Sequence, residues 1–186
     1  ANISSQFITS LLLIGASLEN GLEIELQGEI TSRSYIKMTL KILKDIGVET
    51  RFEGNTIKIL SAASSLSNQK LDRHYHSSKI KHYTVESDWS SASYFYSLVA
   101  IGKKRMHLKS FYAHSLQGDS ALKEIYLKFF GVNTISDAGE NKITLLPDTH
   151  FQYPEKFVLD MNDCPDIAQT VCVTCVALKL PFEISG

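Results

Sequence analysis

The chain has 186 residues, of which 44% are hydrophobic and 21% charged, with a formal net charge of −1. This is an ordinary globular profile, long enough for one large or two small domains, and it lacks the basic excess of a polyanion-binding protein. A small anionic substrate remains compatible with it, because a few placed donors suffice for one phosphate.

The first segment, Ala1-Asn2-Ile3-Ser4, carries neither an initiator Met nor a basic stretch of the signal-peptide kind. The expectation is an internal piece of a longer protein. Ser4-Ser5-Gln6 then opens an apolar helix over 7–16, whose longest apolar run is far short of the ~20 residues of a membrane span. Residues 22–26, Leu-Glu-Ile-Glu-Leu, alternate like a half-buried strand. After Thr31-Ser32-Arg33-Ser34-Tyr35, the residues Ile36, Thr39, Leu40, Leu43 and Ile46 fall on one helical stripe, with Lys37, Lys41 and Lys44 opposite. Gly47 suits the left-handed residue that ends such a helix. A Gly54-Asn55 turn between short β-prone runs then predicts a hairpin over 51–59.

The Ser-rich stretch 61–68 breaks the pattern as a linker would. His74 and His76 follow in this connector and read as solvent-facing. Then the order repeats. Asp88-Trp89-Ser90-Ser91 opens a helix over 92–100, and a strand follows at 106–111. Leu122, Ile125, Tyr126 and Phe129 mark a second amphipathic helix. Gly131-Val132-Asn133-Thr134 echoes Gly47-Val48-Glu49-Thr50, and a hairpin follows over 136–145. A third unit begins at Phe157-Val158-Leu159-Asp160, with its helix over 167–177. Each unit thus reads strand, loop, helix, strand, helix, hairpin: an α/β (α+β) chain of repeated βαβαββ units. Three cysteines, Cys164, Cys172 and Cys175, are too few for a disulfide scaffold. Cys172 and Cys175 lack the second ligand pair of a zinc site and read as buried thiols.

Three sets of polar residues stand where a strand hands over to a helix. Free N–H groups and the helix dipole favour an anion there. The sets are Ser4-Ser5-Gln6; Ser32 with Tyr35 one turn later; and Asn162-Asp163-Cys164-Pro165-Asp166. Each has two readings. Ser and Asp are good caps, and Tyr35 packs; alternatively the hydroxyls, the amide and the Asp166 carboxylate face a ligand, with Asp166 bonding or deprotonating a substrate hydroxyl. Arg33 reads as solvated. His107, His114 and His150 are isolated.

Five ordered motifs resemble one family. Residues 4–13 are similar to the S-S-Q-F/Y helix of the EPSP synthase (3-phosphoshikimate 1-carboxyvinyltransferase) family. Residues 28–40 resemble its G-x-x-x-S-x-P-Y-I-x-x-T-L stretch, residues 86–95 its E-G-D-x-S-S-A-S-Y-F signature, residues 117–119 its Q-G-D turn, and residues 160–166 its D-M-N-H-I-P-D loop. Ser34, Ser87, Asp163 and Cys164 depart from these patterns. The resemblance implies transfer of the enolpyruvyl group of phosphoenolpyruvate to the 5-hydroxyl of shikimate 3-phosphate, through a tetrahedral intermediate, with release of phosphate. This is the chorismate and aromatic amino acid route.

It further implies no metal or organic cofactor, a cytoplasmic monomer when full length, small-molecule substrates, and no nucleic acid or membrane partner. By motif position, Ser4, Ser5, Gln6, Ser32, Tyr35 and Asp166 contact shikimate 3-phosphate. Gln6 also reaches phosphoenolpyruvate, and Asp166 is catalytic. Residues 1–84 are expected to be the last unit of the N-terminal-side domain. Residues 85–186 are expected to be the first unit, and the start of the second, of the C-terminal-side domain. The family's Lys and Arg clusters would lie outside the chain, so the chain alone is expected to be inactive. Two other readings stay open: the sibling transferase acting on UDP-N-acetylglucosamine, whose mobile-loop Cys would be Cys164, and a non-enzymatic βαβαββ binding module.

Overall fold

Ile8, Leu12 and Gly15 recur at helical spacing and bury one face of α1 (Ser5–Gly15). The computed structural model describes residues 5–28, 33–60 and 83–186. It divides into two compact units, Ala1–Thr84 and Val85–Gly186. The linker stretch 61–68 and His74 and His76 lie outside the described residues.

In the first unit, α1 is followed by β1 (Leu22–Glu25), α2 (Arg33–Asp45), β2 (Thr50–Glu53) and β3 (Thr56–Ile59). The sheet order is β1-β3-β2, antiparallel throughout. Alternation sets the faces: Ile57 and Ile59 point into the core with Ile36, Leu40 and Leu43 of α2, while Lys58 points out and pairs with Glu23 at 3.0 Å. The expected lysine face of α2 is exposed at Lys37, Lys41 and Lys44. Ile46 is exposed rather than on the buried stripe, because α2 ends at Asp45. α1 carries more apolar residues than its buried face holds, so Phe7, Leu11, Leu13 and Ile14 remain exposed.

The second unit repeats that order with α3 (Trp89–Gly102), β4 (Met106–Lys109), α4 (Leu122–Phe130), β5 (Val132–Asp137) and β6 (Lys142–Pro147). Its sheet order, β4-β6-β5, is again antiparallel. The late hairpin strand therefore sits in the middle in both units, and the repeat holds at the level of strand pairing. The third unit supplies β7 (Phe157–Asp160), α5 (Ala168–Ala177) and β8 (Phe182–Ser185), with β7 and β8 parallel. This is the right geometry for a helical crossover. One expected element is missing: residues 83–88 form no strand, and the Ser87 N–H instead bonds to Ser110 O at 2.6 Å.

The core of this unit is aromatic. Trp89, Tyr96, Tyr126, Phe130 and Phe157 are fully buried. Phe130 fills the centre, and Phe129, the residue on the predicted stripe, is half-buried. Gly131 ends α4 at φ +65°, its N–H bonded to Tyr126 O. A Cβ there would collide with the Phe151 side chain. Gly131→Ala is expected to cost about 1–3 kcal/mol, from backbone strain and overpacking together. Urea denaturation followed by circular dichroism measures it, and a neutral result would contradict this account of the turn.

Candidate active site

Asp88 sets the start of α3. Its carboxylate accepts from Ser90 N at 3.0 Å, Ser91 N at 3.1 Å and Ser91 Oγ at 2.6 Å. Burial pushes this carboxyl up, but the hydrogen bonds from Ser91 and Ser90 outweigh it, leaving Asp88 below the ordinary value. Around it stands a collar of polar side chains. Gln117 accepts Trp89 N–H at 2.8 Å and donates to Ser87 O at 3.0 Å. Glu86 accepts from Trp89 Nε1 at 3.2 Å, Tyr112 N at 3.3 Å and Ser115 Oγ at 2.5 Å.

Beneath this collar lies Asp119, only 2% exposed. It stands in the 3-10 turn Gly118–Ala121. Its Oδ2 accepts the Ser90 hydroxyl, and its buried Oδ1 has no hydrogen-bond partner among the described residues. Burial is the main force raising its pKa. The Ser90 hydroxyl lowers it, and the charges of Asp166 and Asp88 raise it again. From Ser90 a chain of hydroxyls leads to α5. Ser93 Oγ bonds to Ser90 O at 2.6 Å and to Thr170 Oγ1 at 2.9 Å. The first turns of α3 and α5 are thereby stitched together.

Asp166 lies one helical turn before Thr170, in the 3-10 turn Pro165–Ile167. The loop that carries it is tightly wound. Asp160 Oδ1 accepts Asn162 N–H at 2.9 Å, Met161 N–H reaches Ser185 O at 2.7 Å, and Cys164 N–H reaches Met161 O at 2.9 Å. Pro165 occupies the first position of the turn, where its fixed φ suits a helix start. Asp166 itself is exposed. Met161, Cys164 and Ile167 are buried and anchor the loop on both sides of it. Burial, and then the charges of Asp119, Asp163 and Asp160, push the Cys164 thiol up to about 11. A buried thiol of that kind does not suit a nucleophile on a mobile loop. Cys175 is buried, with its thiol raised by burial and then by Cys172 to about 11, whereas Cys172 is only half-buried.

In the first unit, Ser5 and Gln6 form the first turn of α1, and Tyr35 lies in the first turn of α2. Ser5 and Tyr35 are half-buried and Gln6 is exposed. The start of α2 sits at the hairpin end of the sheet. Arg33 donates to Gly54 O at 3.2 Å and lies 5.2 Å over the Phe52 ring, so it is engaged rather than simply solvated. β1 ends there too, with Leu26 N–H bonded to Asn55 O at 2.8 Å. Ser4 and Ser32 lie outside the described residues. Within the second unit, the charge of Asp166 acts with that of Asp88 to raise the Asp119 carboxyl. Two shallow grooves, one of about 310 Å³ lined by Lys37, Leu40, Lys41, Lys44, Thr50 and Phe52, contain none of the expected site residues. Among the described residues, no group of three His, Cys, Asp or Glu is placed to hold a metal, and no helix is long and apolar enough to cross a membrane.

The model of the family described as EPSP synthase (3-phosphoshikimate 1-carboxyvinyltransferase) matches residues 1–186. The chain belongs to the EPSP synthase family. Named relatives agree with that membership. A 3-phosphoshikimate 1-carboxyvinyltransferase of Bacteroides fragilis is 38% identical over 186 residues, which cover 100% of this chain and 41% of that protein. A relative of the same name from Methanospirillum hungatei is 32% identical over 185 residues, covering 100% of this chain and 40% of that protein. The chain thus spans about two fifths of the length of these relatives. Among solved structures, the enolpyruvyl transferase NikO from Streptomyces tendae is 12% identical, covers 96% of this chain and 37% of that one, and has a TM-score of 0.32. Nothing further rests on that likeness.

Sequence reasoning gave no role to Glu86, Gln117 or Asp119. Their motifs, the acidic residue two before Asp88 and the Gln-Gly-Asp turn, stood out as family signatures. Only the fold shows that both close around the start of α3.

Proposed function

We propose that this chain forms part of an enzyme that transfers the enolpyruvyl group of phosphoenolpyruvate to the 5-hydroxyl of shikimate 3-phosphate. The observation that carries the reading is the family match over residues 1–186. In this reading Ser5, Gln6 and Tyr35, borne by the starts of α1 and α2, bind shikimate 3-phosphate together with Ser4 and Ser32, and Gln6 also reaches phosphoenolpyruvate. Helix starts suit anionic groups because their N–H groups are free and the dipole is favourable. Residues 1–84 then belong to one domain of the enzyme and residues 85–186 to the other.

Asp166 takes the proton from the attacking hydroxyl. The O–H bond breaks, the oxygen bonds to the enolpyruvyl carbon, and the methylene carbon gains a proton to give a tetrahedral intermediate. When phosphate leaves, the methyl carbon returns that proton. Summed over both steps, the hydroxyl proton departs with the phosphate. The carboxylates Asp88, Asp119, Asp163 and Asp166 make this part of the chain unfavourable by itself for two phosphorylated acids. The compensating cations come from elsewhere in the complete protein, and no cofactor is required. The exposed apolar face of α1 fits packing against further units of the same enzyme. The enzyme works as a monomer in the cytoplasm.

The buried Cys164 weighs against the UDP-N-acetylglucosamine sibling. The test is phosphate release by the complete protein carrying this chain. Phosphate should appear with shikimate 3-phosphate and phosphoenolpyruvate together, and not when UDP-N-acetylglucosamine replaces the first. The reverse preference, or no release with either, would overturn the reading.

A further inference from the structure

The hydrophobic effect alone does not fix the rotation of α5. Its buried face carries two polar residues, Thr170 and Thr174, beside Val171 and Cys175, while Val173 and Val176 are exposed. Turning such a helix about its axis trades one set of small apolar side chains for another, and apolar contact has no direction. A hydrogen bond has one.

The seam between α3 and α5 is built from such bonds. Ser93 Oγ bonds to Ser90 O at 2.6 Å and to Thr170 Oγ1 at 2.9 Å. One turn farther along α5, Thr174 Oγ1 lies 2.8 Å from Thr170 O, from Ser97 Oγ and from the Tyr126 hydroxyl. The Ser90 end is itself held, because its hydroxyl bonds to the buried Asp119 carboxyl. Ser93, Ser97, Thr170 and Thr174 are all buried, so any slip of α5 strands hydroxyls away from both partner and water. A buried polar network that is satisfied in one arrangement selects that arrangement. Asp166 precedes Thr170 by one helical turn, and the 3-10 turn that carries it packs on α3 and runs directly into α5.

We propose that Ser93 and Thr170 are positioning residues: their bond fixes the first turn of α5 on α3 and so holds the Asp166 carboxylate in place for the substrate hydroxyl. Neither residue touches substrate. A general base must lie within hydrogen-bond reach of the proton it takes, and a misplacement of about 1 Å can lower the rate by on the order of a hundredfold.

This inference rests on the proposed transferase reading. Two readouts on the complete protein keep them apart: turnover, and amide hydrogen exchange over residues 160–168. Thr170→Val keeps the shape of the side chain and removes the hydroxyl, and Ser93 still has Ser90 O as a partner. Turnover is expected to fall about tenfold with KM little changed, and exchange over 160–168 to speed up about tenfold. Ser93→Ala cuts the same bond from the other helix and should act alike, and the double variant should be little slower than either single one. Thr170→Ser restores the hydroxyl and should recover most of the turnover. Ser97→Ala removes an equally buried hydroxyl one turn farther from Asp166. It should lower Tm yet leave turnover and exchange within about twofold of wild type.

Turnover and exchange near wild type in both Thr170→Val and Ser93→Ala would overturn the proposal. So would a Thr170→Ser variant as slow as Thr170→Val, or an equal loss in Ser97→Ala, which would mark general loosening of the seam. Should Thr170→Val fail to fold, Ser93→Ala decides by the same comparison. A wild-type protein without turnover counts against the transferase reading, while the exchange rates still decide whether this bond holds the Asp166 turn.

Discussion

Asp166→Asn in the complete protein should lower turnover by roughly 10²- to 10⁴-fold, the usual span for loss of a positioned general base. The Asp166 side chain is exposed, and its loop is held from both sides by buried Met161, Cys164 and Ile167. An isosteric amide should therefore leave folding and Tm almost untouched. The amide has no basicity to accept a proton, so the loss should appear in kcat, with KM changing by only a few-fold. Phosphate-release kinetics on the matched pair measures both. Turnover within a few-fold of wild type would remove Asp166 from the chemistry and return it to the role of a helix-start carboxylate.

The second large effect is structural. Trp89 is fully buried at the start of α3, packs edge-on to Phe111 with ring centroids 5.0 Å apart, and donates Nε1–H to Glu86 at 3.2 Å. Its backbone N–H is held by Gln117. Trp89→Ala should destabilise the second unit by about 3–5 kcal/mol, since it empties a large aromatic site and leaves Glu86 a donor short. Trp89→Phe, which keeps an aromatic neighbour for Phe111, should cost less than half as much. Trp89 is the one tryptophan in the chain, so the series needs circular dichroism rather than fluorescence. A loss under about 1 kcal/mol for the alanine variant would mean that the collar of Glu86, Ser115 and Gln117 holds α3 without the indole. That matters for function, because the same first turn carries Ser90 and the link to Asp119.

Much of this architecture can be read from local pattern. The i, i+3, i+4, i+7 spacing of Ile36, Leu40 and Leu43 marks α2, and Gly54-Asn55 marks the first hairpin, because both are short-range steric and solvation effects. Asp88 could be recognised as a cap for the same reason, and it is one. The misses all depend on tertiary contacts. Phe130 rather than Phe129 fills the core because the left-handed turn at Gly131 determines where the end of α4 packs. The strand expected before α3 does not form, and the Ser87 N–H instead bonds to Ser110 O. In the sequence Asp119 reads only as part of the Gln-Gly-Asp turn. It is buried in the fold, where it accepts the hydroxyl of Ser90, 29 residues away in the chain. Of the candidate site, the helix starts bearing Ser5, Gln6, Tyr35 and Asp166 were legible, since chain order fixes them. Their joint use by one ligand depends on the complete protein.

A crystal structure of the complete protein with shikimate 3-phosphate bound tests the central claim most directly. The account predicts an Asp166 carboxylate oxygen at hydrogen-bond distance, about 2.6–3.2 Å, from the 5-hydroxyl, with Ser5, Gln6 and Tyr35 on the same ligand. A ligand seated elsewhere, with Asp166 turned to bulk water, would contradict it.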